Sequence, residues 1–110
     1  MRLVISKNKK EIFNAIKSGK KKVETRAFSP KYKKIEKGMA IVVSCDGETF
    51  EKKVGKVEIF KNVEDLLKNY TPEDINPHLH TKEEIFAMYD SFTGYTEKIK
   101  EFGLIAFTLE

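Results

Sequence analysis

The chain has 110 residues, a length that suits one folded unit spanning residues 1–110. Hydrophobic residues make up 40% and charged residues 35%, the balance of a packed core under a charged shell rather than of a disordered chain. The longest apolar run, Met39 to Val43, is far too short to cross a bilayer, no signal-like stretch precedes Lys7, and the single Cys45 excludes an intrachain disulfide, so a cytoplasmic, reducing location without a membrane role is expected.

The net charge of +4 conceals an asymmetry. Residues 1–38 carry 13 Lys or Arg against 3 acids, whereas residues 39–110 carry 8 against 14. A basic front half favours a polyanionic partner, with phosphate contacts and counterion release supplying affinity; a soluble lysine coat is the plainer reading of the same charge. Nineteen lysines and 13 glutamates, with no glutamine or tryptophan, resemble the composition of proteins stabilised by surface ion-pair networks at high temperature.

In chain order, Arg2 to Ser6 reads as a short strand because Val4 and Ile5 are β-branched. Asn8, with Glu11 three residues on, predicts a capped helix over 8–18 whose apolar face is Ile12, Phe13, Ala15 and Ile16 and whose stop is Gly19. The period then changes to two. Over Lys20 to Phe28, Val23, Thr25 and Ala27 fall on one face of a strand and Lys22, Glu24, Arg26 and Phe28 on the other. A polar connection follows, with Tyr32 and Ile35 folded back as cover. Ala40 to Cys45 reads as a buried strand, Asp46-Gly47-Glu48 as a turn, and Phe50 to Phe60 as a longer strand with a bulge or bend at Gly55. Asn62 and Thr71-Pro72 open short helices, Thr81 and Glu84 form a capping box for a helix carrying Ile85, Phe86, Met88 and Tyr89, and Gly103 to Glu110 is a final strand with apolar residues on both faces, as a central position requires. Five strands, an early helix and a helical insertion before the last strand predict a mainly β, α+β fold: a small mixed or antiparallel barrel with peripheral helices. The connection between the third and fourth strands is too short for a crossover helix.

The segment richest in chemistry is Gly19-Lys20-Lys21-Lys22-Val23-Glu24-Thr25-Arg26. Glu24 and Arg26, two residues apart on a strand, project together; in a cleft the pair could orient the polar edge of a base while Lys21 or Lys22 meets a phosphate. Spacing alone favours a simpler arrangement, an ion pair on an exposed strand. Strict alternation also puts Lys21 opposite Glu24, so the two share a cleft only if the strand begins with a bulge or the lysine reaches round.

This segment resembles the ASCH family of the PUA-like superfamily. Gly19, Lys21, Glu24 and Arg26 match the pattern G-x-K-x-x-E-x-R, and the resemblance extends through Lys37-Gly38, Pro77 to Tyr89 and Gly103-Leu104-Ile105-Ala106-Phe107. It implies a PUA-like barrel with a cleft lined by Lys21, Glu24, Arg26, Lys22 and Tyr89, the last from the insertion covering the second strand. The implied partner is RNA or a nucleotide, drawn in by a basic cleft with lysines 9, 10, 20, 22, 31, 33 and 34 around its rim. One bacterial branch hydrolyses the amide of N-acetylcytidine with a threonine nucleophile, a lysine and a glutamate. Lys21 matches that lysine, but Glu24 stands at the threonine position; an amidohydrolase here would use Lys21 and Glu24 as its catalytic residues, without a covalent intermediate.

Other groups have plainer explanations. His78, His80, Glu83 and Glu84 could offer metal ligands, but Glu84 has a capping role and no third His or Cys is near. Cys45, ending an apolar strand, reads as a buried thiol. Phe28, Tyr32, Tyr89 and Tyr95 are candidates for stacking on a base, with core or cleft wall as the alternative. Neither a phosphate loop, a dinucleotide fingerprint nor zinc-ribbon spacing occurs, so no cofactor or metal is expected.

Overall fold

The computed structural model describes residues 1–110. Its elements are β1 (Arg2–Val4), a 3₁₀ turn (Lys7–Lys9), α1 (Lys10–Ser18), β2 (Val23–Ala27), a second 3₁₀ turn (Pro30–Tyr32), β3 (Ala40–Cys45), β4 (Glu48–Phe60), α2 (Val63–Leu67), α3 (Pro72–Ile75), α4 (Lys82–Ser91), α5 (Tyr95–Phe102) and β5 (Leu104–Leu109). The strands form one sheet in the order β1-β3-β4-β5-β2, antiparallel except for the parallel β1–β3 pair. The sheet curls into a half-barrel, the PUA-like α+β arrangement implied by the resemblance. Because β1 and β2 lie at the two ends of this order, the half-barrel is open along the seam between them.

Local chemistry explains the curl. Asp46 and Gly47, with φ of 50° and 85°, form a two-residue loop with both central residues left-handed, which matches strand twist and sets the register Cys45↔Glu48. β4 therefore starts at Glu48, two residues before the sequence pattern places it. Its first part pairs with β3 and its second with β5; the change falls between Lys53 and Val54, just before Gly55 and Lys56. There Gly55 and Lys56 oppose the single residue Thr108, whose hydroxyl accepts the Lys56 N–H at 2.7 Å. This is the expected bulge, and it bends one long strand around the corner of the half-barrel.

Two cores follow. Inside the curl, Leu3, Phe13, Ile16, Ile41, Val43, Ile105 and Phe107 pack with α1; on the outer side, α2 to α5 cover Val23, Ala27, Leu104 and Ala106. β5 is buried on both faces, as its sequence requires. Cys45 is a buried free thiol, 3.6 Å from the Ser6 carbonyl oxygen. The caps at Asn62, Thr71 and Thr81 form as expected, the last two as capping boxes with Asp74 and Glu84.

Two local expectations are corrected. The first helix is not capped by Asn8: a 3₁₀ turn leads in, α1 begins at Lys10, and Lys9 at the cap position contributes no side-chain bond. The tighter turn absorbs the chain reversal that a cap would otherwise mark. The second strand runs only from Val23 to Ala27 rather than from Lys20 to Phe28, and α5 was absent from the sequence reading. The signal for α5 is nonetheless present, since Tyr95, Ile99 and Phe102 recur at helical spacing among charged residues.

Gly103 joins α5 to β5 with φ 77° and ψ −163°, a region essentially confined to glycine, and a Cβ there would lie 2.6 Å from the Phe60 carbonyl oxygen. Gly103→Ala should therefore lower stability by about 1 to 3 kcal/mol, measured by urea denaturation, with a main-chain shift at the β4–β5 end.

Candidate functional site: the seam between the edge strands

The open seam is a cavity of about 470 Å³. β1 and the start of α1 form one wall, Glu24 to Arg26 of β2 the other, and the end of α3 with α4, Phe92 and Tyr95 close it from the insertion side. The period-two reading of β2 holds: Val23 and Ala27 face the helical insertion, and Glu24 and Arg26 face the curl of the sheet. Both faces are largely covered, with Arg26 half-buried. Glu24 is only 5% exposed, so the exposed surface ion pair favoured by spacing is replaced by a buried one.

Glu24 Oε1 gathers the contacts. Arg26 Nη1 donates to it at 2.8 Å, the Thr25 N–H at 3.3 Å, and Lys21 Nζ stands 3.7 Å away. Lys21 reaches this place because it precedes the strand and is not bound by its alternation. Gly19, with φ 86°, ends α1; the Lys21 N–H then bonds to the Ala15 carbonyl at 3.0 Å, turning the side chain inward. Its ammonium donates to the Val23 carbonyl at 2.8 Å and to the Ile75 carbonyl, tying β2 to the end of α3.

Burial alone would raise the Glu24 pKa, but the Arg26 guanidinium and the Lys21 ammonium override it and hold the carboxyl below the usual carboxylate range. Burial draws Lys21 below the usual lysine range against the opposing pull of Glu24. For Arg26 the attraction of Glu24 outweighs burial and raises the pKa further, so the guanidinium stays charged. The site is thus a carboxylate flanked by two cations.

Their bonds also seal a strand edge. Leu109 N bonds to the Lys22 carbonyl and Phe28 N to the Gly103 carbonyl, which fixes the antiparallel alternation and turns the main-chain groups of Val23, Thr25 and Ala27 toward the seam. Lys21 takes the Val23 carbonyl, Glu24 the Thr25 N–H, Arg26 the Thr25 carbonyl at 2.8 Å, and the Tyr95 hydroxyl accepts the Ala27 N–H at 3.2 Å. The side chains of the motif thereby supply β2 with partners that a neighbouring strand would otherwise provide.

Polar capacity remains for a ligand. Glu24 Oε2 and the Nε and Nη2 of Arg26 have no protein partner, and no buried side-chain polar atom in the chain is left unpaired, so these groups open onto the cavity. Tyr89 is a wall: its hydroxyl pairs with Thr25 Oγ1 at 2.5 Å and its ring lies parallel to Tyr95, centroids 6.2 Å apart. Burial raises its phenol pKa, keeping it neutral.

Several expected participants lie elsewhere. Lys22 is exposed and outside the cavity, since it sits before β2 where the chain leaves the core. Of the seven rim lysines only Lys9 lines the cavity, its Nζ 4.9 Å from the centroid of Phe92; Lys10 pairs with Glu48, and Lys31 lies over Tyr32. With Lys9, Lys21 and Arg26 balanced by Glu11 and Glu24, the lining is close to neutral instead of strongly basic. His78 lines the cavity, while His80 is held by Glu73 at 3.1 Å, and no three potential ligands converge to hold a metal. The contributions of Val4, Ile5 and Asn76 to the walls carry no sequence signal, because only folding brings them beside β2.

Glu24→Ala should cost about 3 to 5 kcal/mol in chemical denaturation, since it leaves Lys21 and Arg26 buried without their counter-charge. Wild-type stability should also fall as the pH drops from the ordinary carboxylate value of 4.5 through the lower folded-state pKa of Glu24, because the unfolded chain takes up that proton first. Glu24→Gln should flatten this acid limb.

The ASCH domain model matches residues 7–110. The fold is similar to the crystal structure of hypothetical protein PH0355, with 25% identity, a TM-score of 0.81 and coverage of 100% of this chain and 98% of that one. It is also similar to the solution structure of protein PF0455 from Pyrococcus furiosus, with 26% identity, a TM-score of 0.76 and coverage of 100% and 96%. No functionally curated protein matches. With nearly its whole length matched and the motif of β2 at the centre of its one seam, the chain belongs to the ASCH domain family, which is generally linked to RNA binding.

Proposed function

We propose that the seam binds one nucleobase, either of a free nucleoside or nucleotide or of an unstacked position in RNA. The observation that carries this reading is the Glu24–Arg26 pair, which offers one free carboxylate oxygen beside free guanidinium N–H groups inside a cavity of about 470 Å³. An acceptor next to a donor is the complement of a base edge, and the cavity lies in the range of small-molecule sites, of roughly 300 to 1,000 Å³. The rigidity of the pair supports selectivity, because Glu24 and Arg26 are already fixed by their bonds to β2 and lose little freedom on binding.

The lysines of the front half have a different role in this reading. Apart from Lys9 and Lys21 they lie outside the cavity, where they act on the phosphate backbone and raise affinity without choosing the base. The hydrolytic alternative is less well supported. Lys21 donates to two carbonyls and is ion-paired with Glu24 at 3.7 Å, and a carboxylate held below its ordinary pKa is a weak general base.

Titration with single-stranded RNA at several salt concentrations should show affinity falling steeply with salt, and Lys22→Ala should weaken binding to all sequences by a similar factor. Glu24→Gln should instead reduce discrimination among bases. Absence of RNA binding at low salt would overturn RNA as the partner. The wild-type protein should leave N-acetylcytidine intact; deacetylation lost in both Lys21→Ala and Glu24→Gln would establish the enzyme instead.

A further inference from the structure

The two edges of the seam differ. β2 is sealed by its own side chains, but β1 is not. Val42 N bonds to the Met1 carbonyl at 2.9 Å and Ile5 N to the Ser44 carbonyl at 2.8 Å, with Leu3 in register with Val43. In a parallel pair this pattern directs the main-chain groups of Met1, Leu3 and Ile5 at β3 and those of Arg2 and Val4 away from it, toward the free edge. Val4 lines the cavity, its side chain is 72% exposed, and no loop or side-chain group bonds to its N–H or C=O. The seam therefore has a second recognition element, a main-chain donor and acceptor side by side, on the wall formed by β1.

We infer that the Val4 main-chain N–H and C=O form this second subsite and that, together with Glu24 and Arg26, they make the cavity selective for adenine. The inference rests on the nucleobase reading above. The chemistry is a matching of edges. Adenine presents an acceptor, N7, beside a donor, the 6-amino group, and on its other edge N1 as acceptor beside the same amino group. Val4 N–H donates to N7 and Val4 C=O accepts one amino hydrogen; Arg26 donates to N1 and Glu24 Oε2 accepts the second. The Val4 N–H and C=O and Glu24 Oε2 then each have a partner, and Arg26 gains one acceptor. Guanine sets O6 beside N7, two acceptors against the Val4 pair, which leaves the Val4 carbonyl facing an oxygen. Cytosine and uracil have apolar C5–H and C6–H positions where purines carry N7, so they satisfy one wall only. A base that displaces water from the Val4 edge without matching its donor and acceptor leaves them unpaired, so the discrimination falls on the base itself.

The test measures dissociation constants of adenosine, guanosine, cytidine and uridine for the wild-type chain and for two variants by calorimetry. Val4→Pro removes the edge N–H, a substitution edge strands tolerate, and a semisynthetic chain with the residue 4 amide replaced by an ester removes the same N–H while keeping the valine side chain. Adenosine should bind wild type about tenfold tighter than the other three, and either variant should weaken adenosine by about five- to tenfold while leaving cytidine and uridine unchanged. Equal binding of all four, or adenosine affinity untouched in the ester chain while Glu24→Gln still weakens it, would overturn the Val4 subsite and leave the nucleobase reading standing. Failure of every nucleoside to bind wild type would overturn the nucleobase reading and the adenine inference together.

Discussion

The structure depends on the requirement that a strand edge turned into a seam must have its hydrogen bonds made. β2 ends the sheet and is buried on both faces, so its outward main-chain groups have little access to water. Unpaired, each would cost about 1 to 3 kcal/mol. Lys21, Glu24, Arg26 and Tyr95 meet that demand from four directions. Because three of the four are charged, they must also neutralise each other, and the resulting cluster of one carboxylate between two cations is a consequence of sealing the edge. The pattern G-x-K-x-x-E-x-R in this chain thus has a mechanical meaning. Glycine ends α1 in the left-handed region, lysine turns inward to clasp β2 to α3, and the glutamate and arginine cover the strand that follows.

The same bonds hold the proposed site in place before any ligand arrives. A carboxylate and a guanidinium whose positions are set by main-chain bonds are preorganised, and each retains unused hydrogen-bonding groups on the cavity side. The opposite edge is treated differently. β1 is only three residues long, which limits its capacity to recruit another strand, and its groups at Val4 are left without side-chain cover. One sealed and one open edge make the seam a polar, asymmetric slot rather than a gap in a barrel. In the proposed function the lysines spread over the front half act at longer range, through a field screened within about 10 Å at ordinary salt, which does not distinguish one base from another.

Much of this was legible in the residues. The alternation Val23-Glu24-Thr25-Arg26-Ala27, the bulge or bend at Gly55, the helix start at Thr71-Pro72, the capping box at Thr81 and the central placement of β5 each follow from local rules that the final packing did not override. Asn8 was misleading because a cap residue followed by Glu is compatible with a 3₁₀ lead-in as well as with an immediate helix. α5 was missed because its apolar positions are sparse and its entrance is a left-handed glycine, Gly94, instead of a hydroxyl or carboxylate cap. Lys22 was drawn into the site by its neighbours in sequence, yet it lies where the chain is still on the surface.

By itself the sequence determined the class of fold, the face of β2 that carries charge, and the pairing of Glu24 with Arg26, because these depend on periodicity and on contacts within a few residues. Only the tertiary structure decided that the pair is buried, that Lys21 joins it, and that β1 and the helical insertion stand across from it. Those facts rest on contacts such as Lys21 with Ile75, 54 positions apart, and Thr25 with Tyr89, 64 apart. Burial is set by what packs over a residue, and a strand pattern with charge on one face reads the same whether that face meets water or the inside of a seam.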